Sequence, residues 1–198
     1  ALRRDQRHDR DGQRVVVGQR SAAQVTVRNS GGRRRLPTRM DVDVLGGKFN
    51  MTDIAAAIGL GQFAHIEKIT AHRQNLARHY FKCFGSDFEA QYGAQLPPAN
   101  FENSNWHLFQ LVLPERQDGL PARATFMEQM QAHGVGIGYH YPPIHLLSLY
   151  RAQGFKEGMF PVAERVGRLI VSLPMFTAMT EADVERAVAA VKAVLKRD

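Results

Sequence analysis

Between residues 54 and 84, Ile54, Ile58, Phe63, Ile66, Ile69, Leu76, Tyr80 and Phe84 recur largely at steps of three, four or seven. Apolar residues at that spacing share one side of an α-helix. The pattern predicts one amphipathic helix of about 30 residues, roughly 45 Å long at 1.5 Å per residue. Thr52 or Asp53 is placed to cap its start. Gly59 and Gly61 interrupt the pattern as weak helix formers and mark a place where another helix can approach closely. A helix this long usually connects two bodies.

The two sides of that helix differ in composition. The chain has 198 residues and a formal net charge of +7. Residues 1–40 hold 11 Arg, no Lys and 3 Asp, which leaves 15 basic and 16 acidic residues for the rest. The basic character belongs to an N-terminal arm. Arg recurs there without helical spacing, Val15-Val16-Val17 and Val25-Thr26-Val27 are short strand candidates, and Asn29-Ser30-Gly31-Gly32 is a turn signal. So little apolar surface does not offset the entropy of ordering, and disorder is expected for this arm. No apolar run reaches the roughly 20 residues of a membrane span. Ala1-Leu2-Arg3-Arg4-Asp5 is not followed by the apolar stretch of a secretory signal. A cytoplasmic chain without a membrane partner is expected, and a start at Ala rather than Met is what a fragment would show. The single Cys83 excludes an internal disulfide and any multi-cysteine metal cluster.

A smaller α+β unit follows the helix. Residues 106–113 (WHLFQLVL) read as a strand, 121–133 as a helix with Phe126, Met127 and Met130 toward the core, and Gly134 as its C′ residue. Residues 135–141 (VGIGYHY) read as a second strand. Residues 163–169 read as a helix running into the strand Ile170-Val171-Ser172-Leu173, which Pro174 stops. Thr180 and Asp183 have capping-box spacing, and Val184, Val188, Val191 and Leu195 give the last helix one apolar face. The expected organisation is therefore an Arg-rich segment 1–40, a connecting loop and long helix 41–84, and a small α+β domain 85–198.

Two segments carry candidate chemistry. Gly46-Gly47-Lys48-Phe49-Asn50 leads directly into a helix start, where free N–H groups favour anions; Lys48 adds a charge and Asn50 an amide donor, so this is a candidate phosphate contact. The competing reading is an ordinary capped helix start with a solvated Lys. Gly134 to Pro143 has three glycines at alternating positions, then His140, Tyr141 and Pro-Pro. The glycines let the backbone approach closely and the prolines hold the next residues extended. His140, Tyr141 and His145 are then presented toward a polar ligand such as a carboxylate or sugar. The competing reading is a sheet edge with satisfied rings. His140 and His145 lack further ligands, so no metal site is expected. Trp106-His107 reads as core, and Cys83 as a small buried hydrophobe. No GxSxG, P-loop, HExxH or paired-carboxylate motif occurs.

Taken in order, these residues resemble the DegT/StrS-type nucleotide-sugar aminotransferases. The resemblance rests on Gly46-Gly47-Lys48-Phe49-Asn50-Met51-Thr52-Asp53-Ile54 with Ala55 to Leu60, on Trp106-His107-Leu108-Phe109, on Gly134 to His145, on Phe160-Pro161-Val162-Ala163-Glu164-Arg165, on Leu173-Pro174-Met175-Phe176 and on Met179 to Val184. It runs from about Asp41 to Lys196. It implies an α+β chain built from the long connecting helix and small C-terminal domain of a fold-type I aminotransferase. It implies pyridoxal phosphate as cofactor, glutamate and a keto-sugar nucleotide as substrates, and a homodimer whose sites borrow residues across the interface. Lys48 and Asn50 would reach the partner's cofactor, and His140 and Tyr141, with His145, would line the substrate side. Gly47 stands where the family commonly has Tyr, which removes a stacking group.

The family's Schiff-base lysine lies upstream of this signature, and no Lys precedes Lys48. The expectation is a truncated sugar aminotransferase, inactive alone, whose first 40 residues look out of frame apart from Arg28-Asn29-Ser30-Gly31-Gly32. The alternative is a non-catalytic binding module whose basic arm grips nucleic acid or another polyanion. The arm lacks interleaved aromatics for base stacking, which weighs against nucleic acid.

Overall fold

The computed structural model describes residues 41–42, 51–115 and 123–196, and the backbone of two short strands, β1 (Arg7–His8) and β2 (Arg14–Val15), which pair antiparallel. The expectation of disorder over residues 1–40 lies, apart from that pairing, outside the described residues.

The long helix is two helices. α1 spans Asp53–Phe63 and α2 spans Ile66–Phe84, with a turn at Ala64 and His65 between them. Thr52 is the cap of α1, its hydroxyl accepting from the Ala55 N–H at 3.2 Å. The expectation of one unbroken helix overlooked what holds each half. α1 is apolar around its whole circumference and buries no residue. Apart from the glycine's chain neighbours and the backbone of α1 itself, no described atom lies within 4 Å of a Cβ built on Gly59 or Gly61, so the close helix approach expected there is not made by these residues. α2 is amphipathic and buries Leu76, Ala77, Tyr80 and Phe84. Residues 66–84 thus belong to the compact unit rather than to a free connector.

The core forms where α2 meets α7 (Glu181–Leu195) and a two-stranded antiparallel sheet, after a short helix α3 (Phe88–Tyr92). In that sheet β3 (Phe109–Val112) pairs with β4 (Ile170–Leu173) in the register Phe109↔Leu173, Gln110↔Ser172, Leu111↔Val171 and Val112↔Ile170. Opposed residues share a face, so Phe109, Leu111, Val171 and Leu173 go into the core together. Tyr80 stacks on Phe109 at 4.4 Å between centroids, and its hydroxyl donates to the Pro174 carbonyl at 2.8 Å. Arg73 Nη1 donates to the carbonyls of Trp106, His107 and Met175, tying α2 to the chain entering β3 and leaving β4 at one end of the sheet. Thr180 and Asp183 form the expected capping box, and Val184, Val188, Val191 and Leu195 are buried.

α4 (Arg123–Ala132) buries Phe126, Met127 and Met130 and ends at Gly134, whose φ of +73° suits it to the C′ position. The expected strand 135–141 reduces to one bridge, Gly138↔Ser172. Only at Gly138 does the backbone exchange hydrogen bonds with β4, both 2.9 Å. A 3-10 turn (Ile144–Leu146), α5 (Ser148–Arg151) and α6 (Pro161–Leu169, with Pro at its first turn) complete the unit. Asp41 folds back onto α5, its carboxylate accepting from the Ser148 N–H at 2.8 Å and hydroxyl at 2.6 Å. Among the described residues, no helix is long and apolar enough to cross a membrane.

Candidate functional site

The face of the sheet opposite the core carries Gln110 and Ser172, side by side in the register. Gly138 pairs with Ser172, and two residues later His140 turns back over it. A Cβ on Gly138 would lie 2.6 Å from His140 Cε1, so the imidazole occupies the space that any other residue at 138 would fill. His140 Nδ1 lies 2.9 Å from Ser172 Oγ, and Gln110 Nε2 donates to the His140 carbonyl at 3.0 Å. The ring is held at one nitrogen and its backbone is clamped. Nε2 has no partner among the described residues. Burial, and then the neighbouring His107, hold His140 below the usual imidazole range, so it is neutral at pH 7.

Tyr141, 60% exposed, meets the His140 ring edge-on at 5.0 Å. It stands at the end of an open groove of about 540 Å³ lined also by Pro142, Pro143, Tyr150, Phe155 and Phe160. The groove is possible because Gly167 on α6 lets Pro143 approach: a Cβ there would be 2.5 Å from the proline ring.

His145 is placed differently from its neighbours. Its residue exposure is 8%, and Nε2 donates to Glu164 Oε1 at 2.9 Å, with Glu164 itself 4% exposed. Glu164 also accepts from the Gly158 and Phe160 N–H groups. These backbone bonds, chiefly that from Gly158, hold its carboxyl below the usual range against the opposing effect of burial. His145 therefore fastens the 3-10 turn to the start of α6, with its Nε2 committed to Glu164. The stretch Phe160-Pro161-Val162-Ala163-Glu164 makes local sense as a helix start whose Glu reaches back to the preceding loop.

Trp106 is buried as expected, while His107 is exposed. Cys83 is half-buried at the edge of the core rather than inside it. Gln110 and Ser172 were not singled out from sequence. The alternation of Phe109-Gln110-Leu111 marks Gln110 as facing away from the core, but only the pairing with β4 brings Ser172 to it.

Pyridoxal phosphate needs a lysine amine and donors for its phosphate. The described residues do not fit that need alone. No lysine lines the groove, and Lys192 donates to the Cys83 carbonyl between α2 and α7. Lys48 and Asn50, expected at the phosphate, lie outside the described residues.

The profile of the DegT/DnrJ/EryC1/StrS aminotransferase family matches residues 18–192. The match starts upstream of Asp41, where the resemblance first becomes legible in the residues. An uncharacterized protein of Methanocaldococcus jannaschii is 35% identical over 77% of this chain and 39% of its own length. The spore coat polysaccharide biosynthesis protein SpsC of Bacillus subtilis is 28% identical over 79% of the chain and 40% of its own. The crystal structure of S. venezuelae DesV in complex with a ketimine intermediate superposes with a TM-score of 0.64 at 25% identity, over 85% of this chain and 42% of DesV. Other solved neighbours include PLP and PMP forms of one protein, and DesI with its TDP-sugar product. The chain spans about two fifths of the length of the curated relatives it matches. Pyridoxal phosphate is the cofactor of this family, and the chain, by a match covering most of its length, belongs to the DegT/DnrJ/EryC1/StrS aminotransferases.

Proposed function

We propose that this chain carries the substrate-side part of a sugar aminotransferase. The complete enzyme moves an amino group from glutamate to a keto-sugar nucleotide. The observation that carries this reading is the family match over residues 18–192, and the placement of His140 supports it. A neutral imidazole with one nitrogen held by Ser172 and the other without a described partner suits a hydrogen bond to a sugar hydroxyl or carboxylate. Tyr141 stands beside it, exposed enough to touch the same ligand. His145 acts through Glu164, by fixing the turn that follows. DesI, solved with a TDP-sugar product, supports a nucleotide-linked substrate.

In this reading the active enzyme is a fold-type I homodimer, with Lys48 and Asn50 working across the interface near the cofactor phosphate. The 198 residues alone do not transaminate, because no Lys precedes Lys48 to anchor the cofactor.

The test joins a large domain of the family upstream of this chain and makes Asn50→Ala and His140→Ala singly. Each loses a ligand hydrogen bond worth about 1–3 kcal/mol, roughly 5- to 150-fold in turnover. Because each site takes Asn50 from one subunit and His140 from the other, mixed dimers hold one site free of both lesions. Mixing the variants should restore activity up to one intact site per heterodimer. No recovery, with heterodimers shown to form, would mean that both residues act from one chain or that neither is in the site.

A further inference from the structure

Away from the His140 face, α2 and α7 bring together side chains that the aminotransferase reading leaves unused. His79 and Cys83 are four residues apart on α2, so they project from the same side one turn apart. Glu181 and Glu185 have the same spacing on the first turns of α7. Packing of the two helices sets His79 between the two carboxylates: Nε2 lies 3.1 Å from Glu185 Oε1, and Nδ1 lies 3.7 Å from Glu181 Oε2. A ring nitrogen of His79, Cys83 Sγ and a Glu185 oxygen all lie within 4.8 Å of one another.

We propose that His79, Cys83 and Glu185 form a binding site for a divalent transition-metal ion of the zinc type, with Glu181 orienting the imidazole. The donor set is one nitrogen, one sulfur and one oxygen. That mixture suits a borderline-soft cation and not magnesium or calcium, which take oxygen donors. Three protein donors leave a fourth tetrahedral position for water. His79 is well placed to be a fixed ligand, because its side chain is only 10% exposed and a carboxylate faces the nitrogen away from the cluster. Glu185 is 62% exposed and has the freedom to close the last distance. Burial first, and then Glu185, hold the Cys83 thiol above its usual range, with Lys82 and Lys192 opposing them. The ion would clip α2 to α7, beside the Lys192 ammonium that donates to the Cys83 carbonyl at 2.8 Å.

The competing explanation is a plain histidine–glutamate pair next to an inert thiol. Titrating the reduced, metal-free 198-residue chain with Co(II) separates the two. One equivalent should raise a thiolate-to-cobalt charge-transfer band, and Zn(II) should displace it. Cys83→Ser should abolish the band, His79→Gln and Glu185→Gln should each shift the titration to at least tenfold higher metal, and Glu181→Gln should weaken it by about 10-fold. Circular dichroism of each variant checks the fold. Excess Zn(II) should raise the melting temperature of the wild-type chain and not that of Cys83→Ser. Absence of a one-to-one band overturns the proposal, as does a band that survives Cys83→Ser or is indifferent to both His79→Gln and Glu185→Gln.

Discussion

α1 and α2 come from one continuous apolar pattern, yet they end in opposite circumstances. Ile54, Ile58, Leu60 and Phe63 on α1 are exposed, Ile58 by 64%, whereas Leu76, Tyr80 and Phe84 on α2 are sealed against α7 and the sheet. The difference lies in what each half meets. α2 has a polar side for water and an apolar side for α7. α1 is apolar all round, from Ile54 through Ala55, Ala56 and Ala57 to Ile58 and Leu60. A helix of that kind is built to be surrounded. The described residues bury none of it. Periodicity reports that a helix forms; it does not report which partner it waits for.

The comparison can be broken by mutation. Phe109→Ala empties a fully buried position under Tyr80 and should cost about 3–5 kcal/mol in denaturant unfolding. Ile58→Ala should stay within about 0.5 kcal/mol. Equal losses would mean that α1 is part of the same core.

Gly138→Ala tests the link between fold and site. Its Cβ would meet the His140 ring at 2.6 Å, so the ring must swing away from Ser172 or the strand must shift, at about 1–3 kcal/mol. Imidazole nitrogen shifts in NMR should show His140 leaving the Ser172 hydrogen bond. A variant with unchanged His140 resonances and stability would show that the glycine is not required there.

The two helix caps sharpen the contrast. Thr180→Ala removes a capping box from a helix that builds the core and should cost about 1 kcal/mol. Thr52→Ala removes the single hydroxyl cap of α1 and should leave the main unfolding transition unmoved.

The Glu164 contribution is present in full at neutral pH and fades in acid. Glu164 has its folded-state value depressed, chiefly by the Gly158 N–H, so folding binds fewer protons than the unfolded chain. Its contribution is full above the unfolded Glu value of about 4.3 and is lost as pH falls through the folded value. Glu164→Gln should flatten the stability profile in that window. An unchanged acid limb would mean that the His145–Glu164 pair does not matter to it.

Local patterns were the legible part of this sequence. The Thr52 cap, Gly134 at the end of α4, the Thr180–Asp183 box, the strand Ile170–Leu173 and the buried face of α7 each depend on neighbours within a few residues. What escaped needed long-range pairing. The apolar pattern runs straight through Ala64 and His65, where the helix breaks. The strand expected at 135–141 shrank to Gly138 because β4 offers it one bridge. His140 was legible as a candidate, but its holders, Ser172 and Gln110, lie about 30 residues away on different strands. His145 was read as a ligand because its partner Glu164 is 19 residues distant.

The central contrast is open to direct measurement by amide hydrogen exchange of the 198-residue chain at concentrations where it is monomeric. The account predicts the slowest exchange in α2, α7 and the β3–β4 pair, near the limit set by global unfolding, and exchange through local opening across Asp53–Phe63. Protection of α1 equal to that of α7 in the monomer would contradict it, because α1 would then have found its cover within these residues.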